Sequence, residues 1–174
     1  ALRAAFLRFM AHGARTERDE FEAFRGERGS LLARYACFEF LRWRFATPWW
    51  DWPAEWRQPD DARLGELRNG ENAEAIAYFE FLQWVADRQL RGCKDLTAEL
   101  GMPIGLYVDV AVGVKRDGFD AWNSQAAIAR GLSVGAPPDL LNTAGQDWGL
   151  AAFSPAGLEA TLFQPFRDML AAAM

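Results

Sequence analysis

The 174-residue chain has one histidine and two cysteines, and these scarcities close off whole classes of chemistry. His12 cannot assemble a zinc site with Cys37 and Cys93, which lie in separate helix-like segments without a CxxC spacing. No metal is therefore expected, and both cysteines read as buried free thiols of a reducing compartment. Long apolar runs are also missing: nothing approaches the roughly eighteen continuous apolar residues of a membrane span. The opening ALRAAFLRFMA carries its arginines inside the apolar pattern, not ahead of it as an export signal would, so a soluble, cytoplasmic protein is expected. Lys and Arg are dispersed in a chain of net charge -5, which argues against a nucleic-acid surface and favours an uncharged ligand. Walker, GxGxxG and HExxH motifs are absent, and no serine or cysteine has a histidine that could serve as its base. No cofactor is expected.

What is present is enough for a sizeable core, at 51% hydrophobic residues. Most of the charge falls in residues 1–100, which read as amphipathic helix. Thr16, Asp19 and Glu20 open one helix that Gly29 stops, and Ser30 caps a second that ends before Thr47-Pro48. In the second, Leu31, Tyr35, Phe38, Leu41 and Phe45 recur at three- and four-residue steps and form one core-facing stripe. Residues 71–100 make the longest helix, with Tyr78, Leu82, Val85, Gln89, Cys93, Leu96 and Leu100 as the inner stripe and Gly92 as a bend. Between these, TPWWDWPAEWRQPDD brings together Trp49, Trp50, Trp52 and Trp56. Such a cluster is either a sugar-stacking platform or a satellite core that fastens the connection.

After Gly101 the pattern changes. PIGLYVDVAVGV is apolar and β-rich across 104–114 except for Asp109, as a strand buried on both faces of a parallel sheet reads. A long helix feeding such a strand is an α/β unit. A carboxylate inside that strand must be satisfied by hydrogen bonds, a ligand or a neighbouring arginine, and the pattern does not choose among them. RDGFDAW turns into a short helix, and Ser154 with Pro155 starts another that Pro165 kinks or divides. Residues 134–149, VGAPPDLLNTAGQDWG, fit neither a helix period nor a strand alternation. They read as a stiff loop carrying Asp139, Gln146 and Trp148. An aromatic face flanked by amide and carboxylate groups suits a sugar ring and its hydroxyls, while an Ω-loop with Trp148 plugging the core has the same composition. Carboxylates are too numerous for spacing to select a glycosidase pair.

The run MPIGLYVDVAVGV, DGFDAW, LSVGAPPDLLNTAGQDWGLAAFSP and FQPFRDMLAAAM, preceded by YFEFLQWVADRQL, closely resembles the 4-α-glucanotransferases, the amylomaltases or disproportionating enzymes of glycoside hydrolase family 77. The resemblance is dense from about Tyr78 to Met174, and the ordered set LYxDxAVG, GAPPD and GQxWG is highly specific. It implies an α/β fold, a piece of a (β/α)8 TIM barrel with a predominantly helical insertion, hence mostly helical over this length. By that resemblance residues 1–100 are the helical insertion and 101–174 a partial barrel segment with 134–149 as its substrate-covering loop. The implied reaction is retaining double displacement, passing α-1,4-glucan segments between maltooligosaccharides. Asp109 then matches a cleft aspartate, and Asp139, Gln146 and Trp148 match the loop that covers the glucan and excludes water. Two departures stand out: Val108, where many relatives carry arginine, and LAAFSP, where prolines are common.

The family's nucleophile lies in an Arg-x-Asp-His stretch that this sequence lacks. By resemblance, that nucleophile and the acid/base carboxylate lie beyond Met174, so no catalytic residue is assigned and the chain alone is expected to be inactive. Its uncovered sheet edge is expected to self-associate. Two other readings are a stand-alone carbohydrate-binding module and a helical interaction scaffold with every tryptophan in the core.

Overall fold

A computed structural model describes residues 1–173. Its helices are α1 Leu2–His12, α2 Arg15–Phe45, α3 Ala54–Arg57, α4 Asp61–Asn69, α5 Ala73–Glu99, α6 Phe119–Asn123, α7 Pro155–Ala160 and α8 Gln164–Ala173. Its strands are β1 Val114–Lys115, β2 Ile128–Ala136 and β3 Gln146–Phe153. The chain divides into two compact units, one of residues 1–47 with 59–106, the other of 48–58 with 107 onward.

The first unit is helical, built from α1, α2, α4 and α5. Its core is a set of rings: Phe6, Phe21, Phe24 and Phe81 with Trp84 and Leu32 are buried, and Phe9, Tyr78 and Val85 pack on them. Phe9 and Trp84 lie 5.1 Å apart between centroids, and Phe6 and Phe81 5.3 Å, within the range of favourable tilted and edge contacts. Burying each such side chain stabilises the fold by about 1.5–3 kcal/mol. Gly29 breaks the direction of α2 with φ +53°, a conformation that glycine adopts without the Cβ penalty. The expected helix boundary at Gly29 is therefore present, as a kink between the two helical stretches of α2.

Two stripes need correction. In α2 beyond Gly29 the buried side chains are Leu32, Ala36, Cys37, Phe38, Phe40 and Leu41, while Leu31 is exposed. In α5 they are Ile76, Glu80, Phe81 and Trp84, whereas Gln89, Cys93, Leu96 and Leu100 are exposed. Helical period held only where another helix lies against α5, and the turns after Leu90 have none of that cover. Gly92 does not interrupt α5. Glu80 is wholly buried and is held by Arg68 Nε at 2.7 Å and Arg25 Nε at 2.8 Å, the second an ion contact without hydrogen-bond alignment. Removing one partner of such a pair costs about 3–5 kcal/mol, because the other is left buried and unpaired. Cys37 is buried nearby; burial first, then the Glu80 charge, push its thiol up to about 12, so it stays neutral. Cys93 is exposed, contrary to expectation.

The second unit holds a three-stranded antiparallel sheet in the order β1-β3-β2. No parallel pair and no closed barrel exist among the described residues. The expected two-face-buried strand at 104–114 is contradicted: only Val114 and Lys115 pair, while Tyr107 is 95% and Val112 64% exposed in irregular backbone. A β-rich run becomes a strand only when a neighbour accepts its ladder bonds, and here only its last residue meets β3. The sheet packs a small core of Val114, Ala121, Ile128 and Ala151 with Phe153. Trp49, Trp52 and Trp122 are buried beside it. Trp49 Nε1 donates to the Arg116 carbonyl at 3.0 Å, and Trp122 Nε1 to that of Trp56 at 2.9 Å. The Pro- and Trp-rich connection is thus fastened as a satellite core. Ser154 caps α7 through Gly157 N–H at 3.2 Å, and turn residues 161–163 separate α7 from α8, with Pro165 in the first turn of α8.

Candidate functional site

The expected loop is a hairpin. Residues 134–136 belong to β2 and 146–149 to β3, leaving 137–145 as the connection. Gly135 faces Asp147 in register, and a Cβ at Gly135 would collide with the Gln146 carbonyl oxygen, so only glycine lets the strands close here. Register shifts between Ala129 and Gly135 mark bulges, which hid the alternation from the sequence pattern. Gly145 takes φ +73° at the return into β3.

Asp139 organises the tip. Its Oδ1 accepts from Leu141 N–H at 2.8 Å and Asn142 N–H at 2.6 Å, while its own N–H donates to the Asn142 carbonyl at 3.1 Å. This is an Asx-type turn, and it leaves Leu140 and Leu141 fully exposed. On β3, Gln146 and Trp148 are two residues apart and share a face. Trp148 Nε1 donates to Gln146 Oε1 at 2.9 Å, which fixes the indole while 46% of the residue remains exposed. The core-plugging alternative is thereby contradicted. Asp147 takes the other side, where Ser133 Oγ and Gly149 N–H donate to its Oδ1. Those two donors, Ser133 first, hold its carboxyl below the usual carboxylate range.

Asp109 is not in an apolar strand. It is exposed, and its Oδ1 accepts from the next N–H, that of Val110, at 2.9 Å. The structure joins Gln146 to Trp148 by a bond; Asp109 and Asp139 bond only to backbone of their own segments among the described residues. A separate cleft of about 340 Å³ in the same unit is lined by Trp49, Trp50, Arg116, Arg130 and the floor residues Ala121, Ile128 and Ala151. The Trp cluster was legible in the sequence, but nothing there paired it with Arg116 and Arg130. Among the described residues no cluster of three or more His, Cys, Asp or Glu could hold a metal.

A family model described as 4-alpha-glucanotransferase matches residues 1–174. The chain belongs to the 4-alpha-glucanotransferase family. Its relatives include a Mycobacterium bovis 4-alpha-glucanotransferase, 34% identical over 154 residues, which are 88% of this chain and 21% of that protein. The crystal structure of amylomaltase from Corynebacterium glutamicum superposes with a TM-score of 0.73 at 30% identity, over 99% of this chain and 22% of that one. An amylomaltase from Streptococcus agalactiae, solved in complex with acarbose, shares the fold with a TM-score of 0.79 at 18% identity, over 98% of this chain and 35% of that one. The chain thus spans about a fifth to a third of the length of these family members. Over that length the shared fold is mostly helical with a small antiparallel sheet.

Proposed function

We propose that this chain supplies glucan contacts to a 4-alpha-glucanotransferase, a cytoplasmic enzyme that moves α-1,4-glucan segments between maltooligosaccharides by retaining double displacement. The single observation that carries the reading is the exposed Trp148 indole, held by Gln146 on a hairpin whose sequence bears the family's motifs. A fixed aromatic face receives the apolar side of a glucosyl ring at little entropic cost, and the Gln146 amide nitrogen remains available for a hydroxyl. In this reading Asp139 shapes the tip, and Asp109 is a further exposed carboxylate for the sugar. The sheet is read as part of a (β/α)8 barrel, and the reacting carboxylates are read as lying outside these 174 residues. The scaffold reading, with every tryptophan in the core, is disfavoured by Trp43, Trp50 and Trp148, which are 65%, 43% and 46% exposed.

The test is calorimetric titration of the chain with maltooligosaccharides beside Trp148→Ala, together with an assay for glucose release from maltotriose. Saturable binding that weakens about tenfold or more in the variant, without turnover, is expected. Equal binding by both proteins would refute the role of Trp148, and turnover by the chain would refute the absence of the reacting carboxylates.

A further inference from the structure

We infer that the cleft between the Trp-rich connection and the sheet of the second unit is a binding site for a small ring compound carrying a phosphate monoester, separate in its residues from the Trp148 hairpin face. The cleft is roomy enough for one monosaccharide-sized ring, at about 340 Å³. Its floor is apolar and shallow-sided, because Ala121 and Ala151 are small and Ile128 is buried. Its aromatic wall is Trp49 and Trp50, nearly perpendicular at 74° with centroids 5.5 Å apart, of which Trp50 is 43% exposed. A ring resting on the floor meets an indole face on one side.

The charged lining has one sign. Arg116 and Arg130 line the cleft and no carboxylate does, in a chain whose net charge is -5. Arg130 has no acidic partner among the described residues; its guanidinium lies 5.9 Å from the Trp49 ring centroid, a stacking that orients the fork. Arg116 spends one nitrogen on the Leu132 carbonyl at 3.2 Å, which restrains its side chain, and Asp147 lies within its electrostatic reach. Arg130 is therefore the less compensated cation. A neutral polyol is commonly recognised by carboxylates and amides that accept from its hydroxyls, and the polar side chains lining this cleft, those of Arg116, Arg130 and the two indoles, are donors. Planar guanidinium donors beside an indole instead match a phosphate attached to a ring. A sugar phosphate and a nucleoside monophosphate share this chemistry.

The probes are glucose 6-phosphate, AMP, inorganic phosphate and maltotriose, titrated against the 174-residue chain with tryptophan fluorescence as the readout. Saturable binding of glucose 6-phosphate or AMP, at least about tenfold weaker in Arg130→Ala, partly restored in Arg130→Lys and unchanged in Trp148→Ala, is the expected result. Which of the two binds more tightly distinguishes a sugar from a nucleobase ring. Equal affinity for inorganic phosphate would overturn the role of the ring, and no binding of either phosphomonoester, or binding unchanged in Arg130→Ala, would overturn the site. Competition by maltotriose would likewise overturn it, as the cleft would then be a neutral glucan subsite. The Arg130 side chain is exposed and makes no hydrogen bond among the described residues, so both variants should keep the far-UV spectrum of the parent chain.

Discussion

The helical unit and the hairpin unit hold themselves together by different means. In the first, the long elements α2 and α5 satisfy their backbones internally and close on a set of interlocking rings from Phe6 to Trp84. In the second, β1 has two residues, the sheet core is four small or medium side chains, and Leu140 and Leu141 are bare. The aromatic core of the first unit carries no proposed ligand contact, while the surface proposed for a sugar lies on the exposed hairpin of the second, whose own tryptophans Trp49, Trp52 and Trp122 are buried. Binding loops are commonly drawn from the less stable parts of a fold in this way.

The largest effect that sharpens this contrast is Phe81→Ala, expected to cost about 3–5 kcal/mol in urea unfolding, whereas Leu141→Ala should stay within about 0.5 kcal/mol. Equal costs would dissolve the distinction between the units. Next comes Gly135→Ala, which drives a methyl into the Gln146 carbonyl and should destabilise the hairpin by about 1–3 kcal/mol, read as faster amide exchange in 128–153. The thiols give a kinetic contrast: Cys93 should react with a thiol reagent in the folded chain, and Cys37, buried with its thiol pushed up to about 12, only after unfolding. The smallest effect is on pH. Asp147 has a lowered folded pKa, so its contribution is present above the ordinary carboxylate value and lost as pH falls through the folded one. The Trp148 fluorescence should therefore show an acid transition, below about pH 4, that Asp147→Asn removes.

The same contrast explains what could be read from the sequence. Helices were legible at Phe38, Leu41, Tyr78 and Leu82 because an amphipathic helix needs only its own residues to satisfy its backbone. The turns of α5 after Leu90 carried the same period and stay exposed, since burial depends on a neighbour that periodicity does not encode. Residues 104–113 failed as a strand for the related reason that a strand needs a partner. The 134–149 hairpin was hidden by its bulges and by Gly135, although its chemistry at Asp139, Gln146 and Trp148 was visible. The pairing of Ser133 with Asp147 was not legible, because only the β2–β3 register brings them together.

Tyr107, Val112, Leu140 and Leu141 of the second unit are exposed apolar residues, and self-association of the chain is a proposal that sedimentation at rising concentration would test. The most direct measurement of the central claim is amide hydrogen exchange of the chain with and without a maltooligosaccharide. Slowed exchange in 137–149, with α2 and α5 unchanged, is the predicted result. Protection confined to the helical unit would contradict it.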